Sequence, residues 1–254
     1  MGVGVLAVIA VTFAVVVTLR PGGGGDEAPP AVASGEQSSG EFGDAAETSA
    51  PADAPDLIDT AGLEALLPEN SQLLSFLGLP ADREVMRYER TMNLEYAADV
   101  HNCGPVTSPY DVNAYRGSGY TSVRYSFVRD PDENISPFIQ RAWVGGIAFH
   151  NAEAAQAMHA KLTGIFESCA GRTVNLKTTD DDNDVFWGIG AVTTADGITS
   201  VLNFQEASDD WRCAHSVAQR SNVMLVVMDC SRGGDVGRSV ELVEQMLAKI
   251  EAPQ

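Results

Sequence analysis

The positions of four cysteines restrict how this chain folds more than any other feature of its sequence. Cys103, Cys169, Cys213 and Cys230 all lie beyond residue 100 of the 254. The closest two are 17 positions apart, so none of them forms the Cys-x-x-Cys motif of a zinc site. An even number of cysteines behind an apolar N-terminal segment favours two disulfides, which form in an oxidising compartment outside the cytoplasm.

A hairpin register predicts which cysteines pair. If Ser221–Asn222 is a two-residue turn, Cys213 and Cys230 lie at equal distances from it and face each other across two strands. Their odd offset from the turn gives a pair without direct hydrogen bonds, in which the Cα atoms approach to about 4.5 Å. A disulfide accepts this distance. Cys103 is then left to pair with Cys169.

The N-terminal segment predicts a membrane anchor. Val3 to Leu19 contains 17 residues and no charge, which is at the lower end of the length that spans a bilayer. A cleaved signal peptide is the alternative, but the start lacks Lys and Arg, and no clean Ala-x-Ala site follows. Arg20 by itself would place the C-terminal part in the cytoplasm, and the disulfide argument outweighs it. We therefore expect a single-pass anchor over residues 1–20, with residues 3–19 in the membrane and the C-terminal domain extracytoplasmic. If the segment is cleaved, the protein is secreted.

An acidic linker is predicted after the anchor. Residues 21–56 are rich in Pro, Gly, Ala and Ser and carry eight acidic side chains but no Lys or Arg. Such a composition buries too little apolar surface to offset the entropy of ordering, so we expect a disordered stalk. The whole chain has a formal net charge of −19. This charge excludes nucleic acid as a partner, because phosphate binding requires a positive surface.

Residues 57–254 predict one α+β domain. Three stretches have helical periodicity or helix-ending signals: Thr60 to Leu79, broken near Pro68; Asn151 to Cys169; and Asp235 to Ile250. Six stretches are rich in β-branched and aromatic residues: Trp143 to His150, Thr173 to Lys177, Val185 to Thr194, Ile198 to Gln205, Trp211 to Gln219 and Val223 to Asp229. We expect a mainly antiparallel sheet of about six strands, with helices packed on one face.

Known catalytic and metal-binding motifs do not occur in the sequence. No His-Glu-x-x-His, nucleophile elbow or phosphate-binding loop is found, and the acidic run Thr179 to Asp184 lacks the Gly and Glu of a calcium loop. We therefore predict neither an enzyme nor a cofactor or metal site.

The candidate binding residues are aromatic and basic. A predicted loop after Cys103 combines tyrosines with arginines, and three tryptophans lie at or near the starts of predicted strands, where amphipathic rings often line clefts. Core packing is the competing explanation for each of them. The candidates are Tyr110, Tyr115, Arg116, Tyr120, Arg124, Trp143, Trp187 and Trp211.

Several stretches resemble the extracellular sensor domain of the mycobacterial membrane Ser/Thr kinase family of PknH. They read LLPENSQLLSFLG, NCGPVTSPYDVNAYRGSGY, IAFHNAEAAQAMHAKLTGIFESCAG and WRCAHSVAQRSNVMLVVMDC, and the resemblance extends roughly from Leu63 to Ile250. It implies an antiparallel sheet with flanking helices, the same two disulfides, and a broad cleft proposed to bind a ligand. No kinase domain precedes the apolar segment here, so we expect a stand-alone, membrane-anchored relative.

Two functions remain open from the sequence. The first is a non-catalytic sensor that binds an envelope small molecule, glycan, lipid or peptide in a cleft and signals through a membrane protein partner. The second is a structural or assembly factor that binds other cell-envelope proteins. A concave pocket favours the first, and a large exposed apolar patch without a pocket favours the second.

Overall fold

One antiparallel sheet organises the part of the chain that the structure describes. This computed structural model describes residues 57–89, 102–130, 139–176 and 184–251. The predicted anchor at 1–20 and stalk at 21–56 lie outside the described residues and remain predictions. Within the described ranges, no helix is both long enough and apolar enough to cross a bilayer.

The described elements are six helices and eight strands. The helices are α1 (Thr60–Leu66), α2 (Asn70–Leu77), α3 (Gly104–Thr107), α4 (Val112–Tyr115), α5 (Ala152–Cys169) and α6 (Gly237–Glu251). The strands are β1 (Val85–Tyr88), β2 (Tyr120–Asp130), β3 (Gln140–Phe149), β4 (Thr173–Asn175), β5 (Phe186–Ala195), β6 (Ile198–Gln205), β7 (Trp211–Arg220) and β8 (Val223–Arg232). They form one sheet in the order β1-β2-β3-β8-β7-β6-β5-β4, and all neighbouring pairs are antiparallel.

The α+β fold with a mainly antiparallel sheet is confirmed, and two strands were missed. The predicted loop after Cys103 is wrong for its second half, because residues from Tyr120 onward form β2. Val123, Tyr125 and Phe127 alternate along this strand and face one core, which is the pattern of a half-buried strand. The short β1 then pairs with β2 at the edge of the sheet.

The predicted hairpin register is also found. Arg220 pairs with Val223 around the Ser221–Asn222 turn, and Cys213 faces Cys230. Their Cα atoms are 3.9 Å apart, and the two cysteines form a disulfide.

The second disulfide joins Cys103 to Cys169, with 5.8 Å between the Cα atoms. It ties the segment that begins with α3 to the C-terminal end of α5. The chain therefore carries both predicted bridges.

Helices cover both faces of the sheet, not one as predicted. α5, α3 and α4 pack on the first face, and α1, α2 and α6 pack on the second. The reason lies in β8, where Met224 and Val226 face the first core while Leu225 and Val227 face the second. A strand that is apolar on both sides belongs in the middle of a sheet with two covered faces.

The predicted capping residues define the helix starts. The Asn151 side chain accepts a hydrogen bond from the Ala154 amide at 2.8 Å, which satisfies one of the free N–H groups of the first turn of α5. Asp235 accepts in the same way from the Gly237 amide at 2.8 Å. The C-terminal end of α2 is defined by Gly78, whose φ of 70° is the left-handed conformation that ends helices.

The described chain begins beside the β7–β8 turn. The Ile58 amide donates to Asn222 Oδ1 at 2.9 Å, and Asn222 Nδ2 donates back to the Ile58 carbonyl at 3.0 Å. Asn222 is buried and also donates to the Phe149 carbonyl at 2.8 Å. This side chain therefore fixes the start of the domain to the turn end of the central strands.

Candidate functional site

A cavity opens on the first face of the sheet, at the end of the central strands that α5 leaves uncovered. α5 packs over the half of this face near the β7–β8 turn, through contacts with residues such as Met224 and Val217. Beyond it, strand side chains and the segment after α3 enclose a volume of about 430 Å³. This volume lies in the range of small-molecule sites. The lining residues are Tyr88, Thr107, Ser108, Pro109, Tyr110, Tyr125, Phe127, Arg141, Trp143, Leu176, Val185, Trp187, Gln205, Trp211, Cys213, Met228 and Cys230.

Three stacked tyrosines form one wall. The ring centroid of Tyr125 lies 4.9 Å from that of Tyr88 and 4.1 Å from that of Tyr110, with interplanar angles of 10° and 15°. The Tyr110 hydroxyl donates to the Val226 carbonyl at 3.2 Å, and burial raises the pKa of this phenol well above its usual value. Tyr110 is therefore neutral at physiological pH and joins the segment after α3 to the central strand.

A glycine makes room for this wall. Gly145 pairs with Tyr125 in the β2–β3 register. A Cβ at position 145 would lie 2.1 Å from the Arg124 carbonyl oxygen and 2.4 Å from Tyr125 Cβ. Only glycine allows the two strands to approach so closely while the tyrosine ring lies across β3.

Arg141 brings a positive charge to the cavity. Its Cζ atom lies 4.8 Å from the Trp143 ring centroid and 5.9 Å from that of Phe127, within the range of cation–π contacts. The two rings also pack on each other, with centroids 4.8 Å apart. Arg141 is the one charged side chain among the described residues that line the cavity.

The floor is a buried disulfide surrounded by tryptophans. Cys213, Cys230, Met228 and Trp211 form a small apolar cluster, and Trp143 and Trp187 pack against it. The cystine thus joins β7 and β8 at the floor of the cavity, and the three tryptophans pack around it.

A pair of buried polar residues lies deeper in the first core, beneath α3. Asn203 Nδ2 donates to the Val106 carbonyl at 2.9 Å, and His215 Nδ1 binds the same oxygen at 3.0 Å. Because a carbonyl only accepts, Nδ1 of His215 carries the proton. Burial lowers the pKa of His215 to about 4, so the ring is neutral at physiological pH. These two side chains hold the segment between Cys103 and the cavity wall.

The structure brings together half of the predicted binding residues. Tyr110, Trp143, Trp187 and Trp211 line the one cavity, although they are up to 101 positions apart in sequence. Whether they bind a ligand remains a prediction.

The other four predicted residues lie elsewhere. Tyr115 is buried in the core beside α5, Arg116 is exposed after α4, and Tyr120 is exposed at the start of β2. Arg124 points to the second face, where its Nε lies 3.5 Å from a Glu64 carboxylate oxygen. None of the four lines the cavity.

Sequence reasoning missed Tyr88, Tyr125, Phe127 and Arg141. Tyr125 and Phe127 were missed because β2 was missed: the alternation that defines this strand also places both rings on one face. Arg141 precedes Trp143 by two positions and therefore shares its face of β3. Tyr88 carries no comparable signal, since it reaches the wall only through the pairing of β1 with β2.

The described cavity offers stacking surfaces, one guanidinium and several hydroxyl and amide groups. No His, Asp or Glu is among the residues that line it. Within the described ranges, no three His, Cys, Asp or Glu side chains are grouped so that they could hold a metal ion. Stacking surfaces and hydrogen-bonding groups of this kind can hold a ligand through non-covalent contacts.

Known proteins resemble the chain over this domain. PknH kinases of Mycobacterium bovis and Mycobacterium tuberculosis are 27% identical over 116 residues, which is 46% of this chain and 19% and 18% of those proteins. PknJ of M. tuberculosis is 27% identical over 209 residues, which is 77% of this chain and 33% of that protein. The chain thus spans at most a third of the length of these curated relatives.

A solved structure shows the same fold. The crystal structure of the extracellular domain of PknH from M. tuberculosis superposes with a TM-score of 0.70, covering 78% of this chain and 98% of that one, at 18% identity. The model of the family described as "PknH-like extracellular domain" matches residues 58–249. The match is to the extracellular domain and not to a kinase domain. On these grounds, the chain belongs to the family of PknH-like extracellular domains.

Proposed function

We propose that this domain is an extracytoplasmic sensor that binds an envelope ligand in the aromatic cavity and relays binding to a membrane protein partner. The observation that carries the proposal is the cavity itself: seven aromatic side chains and one arginine converge on a space of about 430 Å³. Apolar pockets with a few convergent polar groups are the usual form of ligand sites.

Rigidity of the surroundings supports the proposal. The Cys213–Cys230 disulfide forms the floor, and the Cys103–Cys169 disulfide ties the segment that carries Tyr110 to α5. A site whose walls are fixed before binding loses little conformational entropy when the ligand enters. An extracytoplasmic location is supported by the same disulfides and by the extracellular placement of the matching domain of PknH.

Filling the cavity tests the proposal. In the variant Gln205→Trp an indole occupies space at the cavity, whereas Thr193→Trp places the same ring at an exposed position on β5. Envelope lipids, saccharides and peptides are screened by tryptophan fluorescence and thermal shift. We expect at least one class to bind the wild type and Thr193→Trp but not Gln205→Trp. Equal binding by all three proteins, or binding of no class, refutes the proposal.

Relay to a partner needs a separate test. Crosslinking of the membrane-bound protein with and without the identified ligand measures whether neighbouring membrane proteins change on binding. A ligand-dependent change in the crosslinked set is expected. An identical set in both conditions contradicts the signalling part of the proposal and leaves ligand binding untouched.

One observation favours an assembly role as the second candidate. Phe186 and Phe204 are 41% and 47% exposed, and they lie on the face of β5 and β6 opposite to the cavity. Replacing both by serine is expected to abolish binding to envelope proteins if this face is a contact surface. Retention of all protein contacts by the double variant removes this candidate.

A further inference from the structure

We infer that the cavity selects acidic carbohydrates, in which a sugar ring carries a carboxylate or a phosphate. This inference rests on the proposed function and adds the chemical class of the ligand. It follows from three properties of the described residues: where the positive charge lies, how the rings are presented, and which polar groups surround them.

The first property is the charge. Arg141 is the one charged side chain among the described lining residues, although the chain as a whole has a formal net charge of −19. A cationic ligand would meet this guanidinium with no carboxylate in the described lining to receive it. An anionic group on the ligand is therefore favoured over a cationic one.

A second guanidinium beside Arg141 strengthens the argument for an anionic ligand. Arg129 faces Arg141 directly in the β2–β3 register, so both side chains leave the sheet on the cavity face. Two guanidinium groups on one face of the sheet favour an anionic ligand over a cationic one. Both arginines have other interactions as well.

The geometry of Arg141 suits an oxyanion. Its Cζ atom lies over the Trp143 ring at 4.8 Å from the centroid. An arginine that stacks on an aromatic ring keeps its N–H donors in the plane of the guanidinium. Those donors match the spacing of the oxygens of a carboxylate or a phosphate. The stacked ring also restricts the side chain, so less rotamer entropy is lost on binding.

The rings and polar groups favour a sugar over an acyl chain. Trp187 is partly buried, packs against the Cys213–Cys230 floor and lines the cavity, where an indole can stack on a flat ligand ring. Thr107, Ser108 and Gln205 bring hydroxyl and amide groups to the same cavity. Sugar hydroxyls satisfy such groups, whereas an acyl chain would bury them without partners at a free-energy cost.

Matched saccharides test the inference. Hexoses of gluco, galacto and manno configuration are compared with their 6-phosphates and uronic acids, and inorganic phosphate serves as the anion without a ring. Binding to the full chain is followed by ligand-observed NMR and tryptophan fluorescence. We expect at least one acidic sugar to bind about tenfold more tightly than its neutral counterpart, the ratio that one charged hydrogen bond supplies. We expect inorganic phosphate alone to bind more weakly than that sugar.

Variants separate charge from stacking. Arg141→Gln is expected to reduce the acidic-to-neutral ratio to about one, while Arg141→Lys retains part of it. Trp187→Ala is expected to weaken acidic and neutral sugars alike. Arg220→Gln, which removes an exposed arginine near the β7–β8 turn that pairs with Glu251, is the matched control and should leave the ratio unchanged.

A salt titration of the wild type gives a readout that no folding defect affects. The preference for acidic sugars should fall between about 0.02 M and about 0.5 M NaCl, while neutral sugars keep their affinity. A cavity ligand that is neutral, or an acidic sugar whose affinity survives Arg141→Gln and high salt, overturns the inference while the proposed function stands. If no ligand of any class shows dependence on Trp187, the inference and the proposed function fall together.

Discussion

The buried histidine under α3 predicts how the stability of the domain depends on pH. His215 is buried, its Nδ1–H donates to the Val106 carbonyl at 3.0 Å, and its ring packs on Phe166 with centroids 4.9 Å apart. Burial lowers its pKa from 6.5 to about 4. In the unfolded chain the imidazole is in water and titrates near its ordinary value.

The sign of the effect follows from this difference. Between pH 6.5 and pH 4 the unfolded chain binds a proton at this histidine and the folded protein does not, so lowering the pH favours unfolding. The stabilisation is fully present above pH 6.5 and is lost as the pH falls to about 4. At about 1.4 kcal/mol for each pKa unit, His215 removes about 3 kcal/mol from the free energy of unfolding over this window.

Urea unfolding at 25 °C between pH 7.5 and pH 4, followed by tryptophan fluorescence, measures the loss. The variant His215→Asn retains an amide donor toward the Val106 carbonyl but has no titrating group. It should start less stable at pH 7.5, because the smaller side chain leaves space beside Phe166. Its loss of stability on acidification should then be about 3 kcal/mol smaller than that of the wild type.

A destabilised variant without a change in titration is the control. Val217→Ala removes core volume on the same face of β7 and should show the full loss of the wild type. Carboxylates that titrate in the same window contribute equally to all three proteins and cancel in the comparison. An identical loss for His215→Asn and the wild type would refute the reasoning.

Three further changes test the scaffold by urea unfolding at pH 7.5. Lys249 donates to the last three carbonyls at the end of α1 at 3.3, 3.1 and 2.7 Å. The variant Lys249→Met should therefore lower the free energy of unfolding by about 1 kcal/mol. An unchanged free energy of unfolding would show that solvent screens these contacts. Gly145→Ala should cost about 2 kcal/mol or more because its Cβ meets the β2 backbone, whereas Gly164→Ala, with open space around its Cβ on α5, should stabilise by up to about 1 kcal/mol. Equal effects of the two alanines contradict the close approach of the strands. Replacing Cys103 and Cys169 together by alanine should cost about 4 kcal/mol, since their disulfide closes a segment of 66 residues, and a cost below about 1 kcal/mol would contradict the entropic argument.

Local sequence signals were sufficient to predict the elements whose geometry is determined by nearby residues. α5 begins at the side-chain cap of Asn151, and its apolar stripe is the face that packs on the sheet. The Asp196–Gly197 turn has positive φ at both residues, as a tight hairpin requires. The Cys213–Cys230 register depended only on counting from the Ser221–Asn222 turn. In each case, residues within one element or one hairpin determine the geometry.

Elements that depend on distant neighbours could not be predicted in the same way. β2 alternates Val123, Tyr125 and Phe127 toward the first face with Ser122 and Arg124 toward the second, but this stretch was predicted to be part of a loop after Cys103. The helices on the second face could be inferred only from β8, because both faces of this strand are apolar. The cavity draws its lining from all the strands from β1 to β8 apart from β4, together with the end of α3, the segment after it, and two residues between β4 and β5. The cavity therefore depends on the order of the strands in the sheet, and this order could not be predicted from the sequence pattern.

Ile58 marks the end of the domain at which the described chain begins. The chain enters the fold beside Asn222, and β7 and β8 run from that turn toward the floor of the cavity at Cys213 and Cys230. Eight residues of extended strand at about 3.3 Å each separate the two by about 26 Å. The described chain thus begins at the end of the central strands opposite to the cavity floor. For the proposed sensor, the pair of central strands is therefore the direct structural connection between the cavity and the start of the domain.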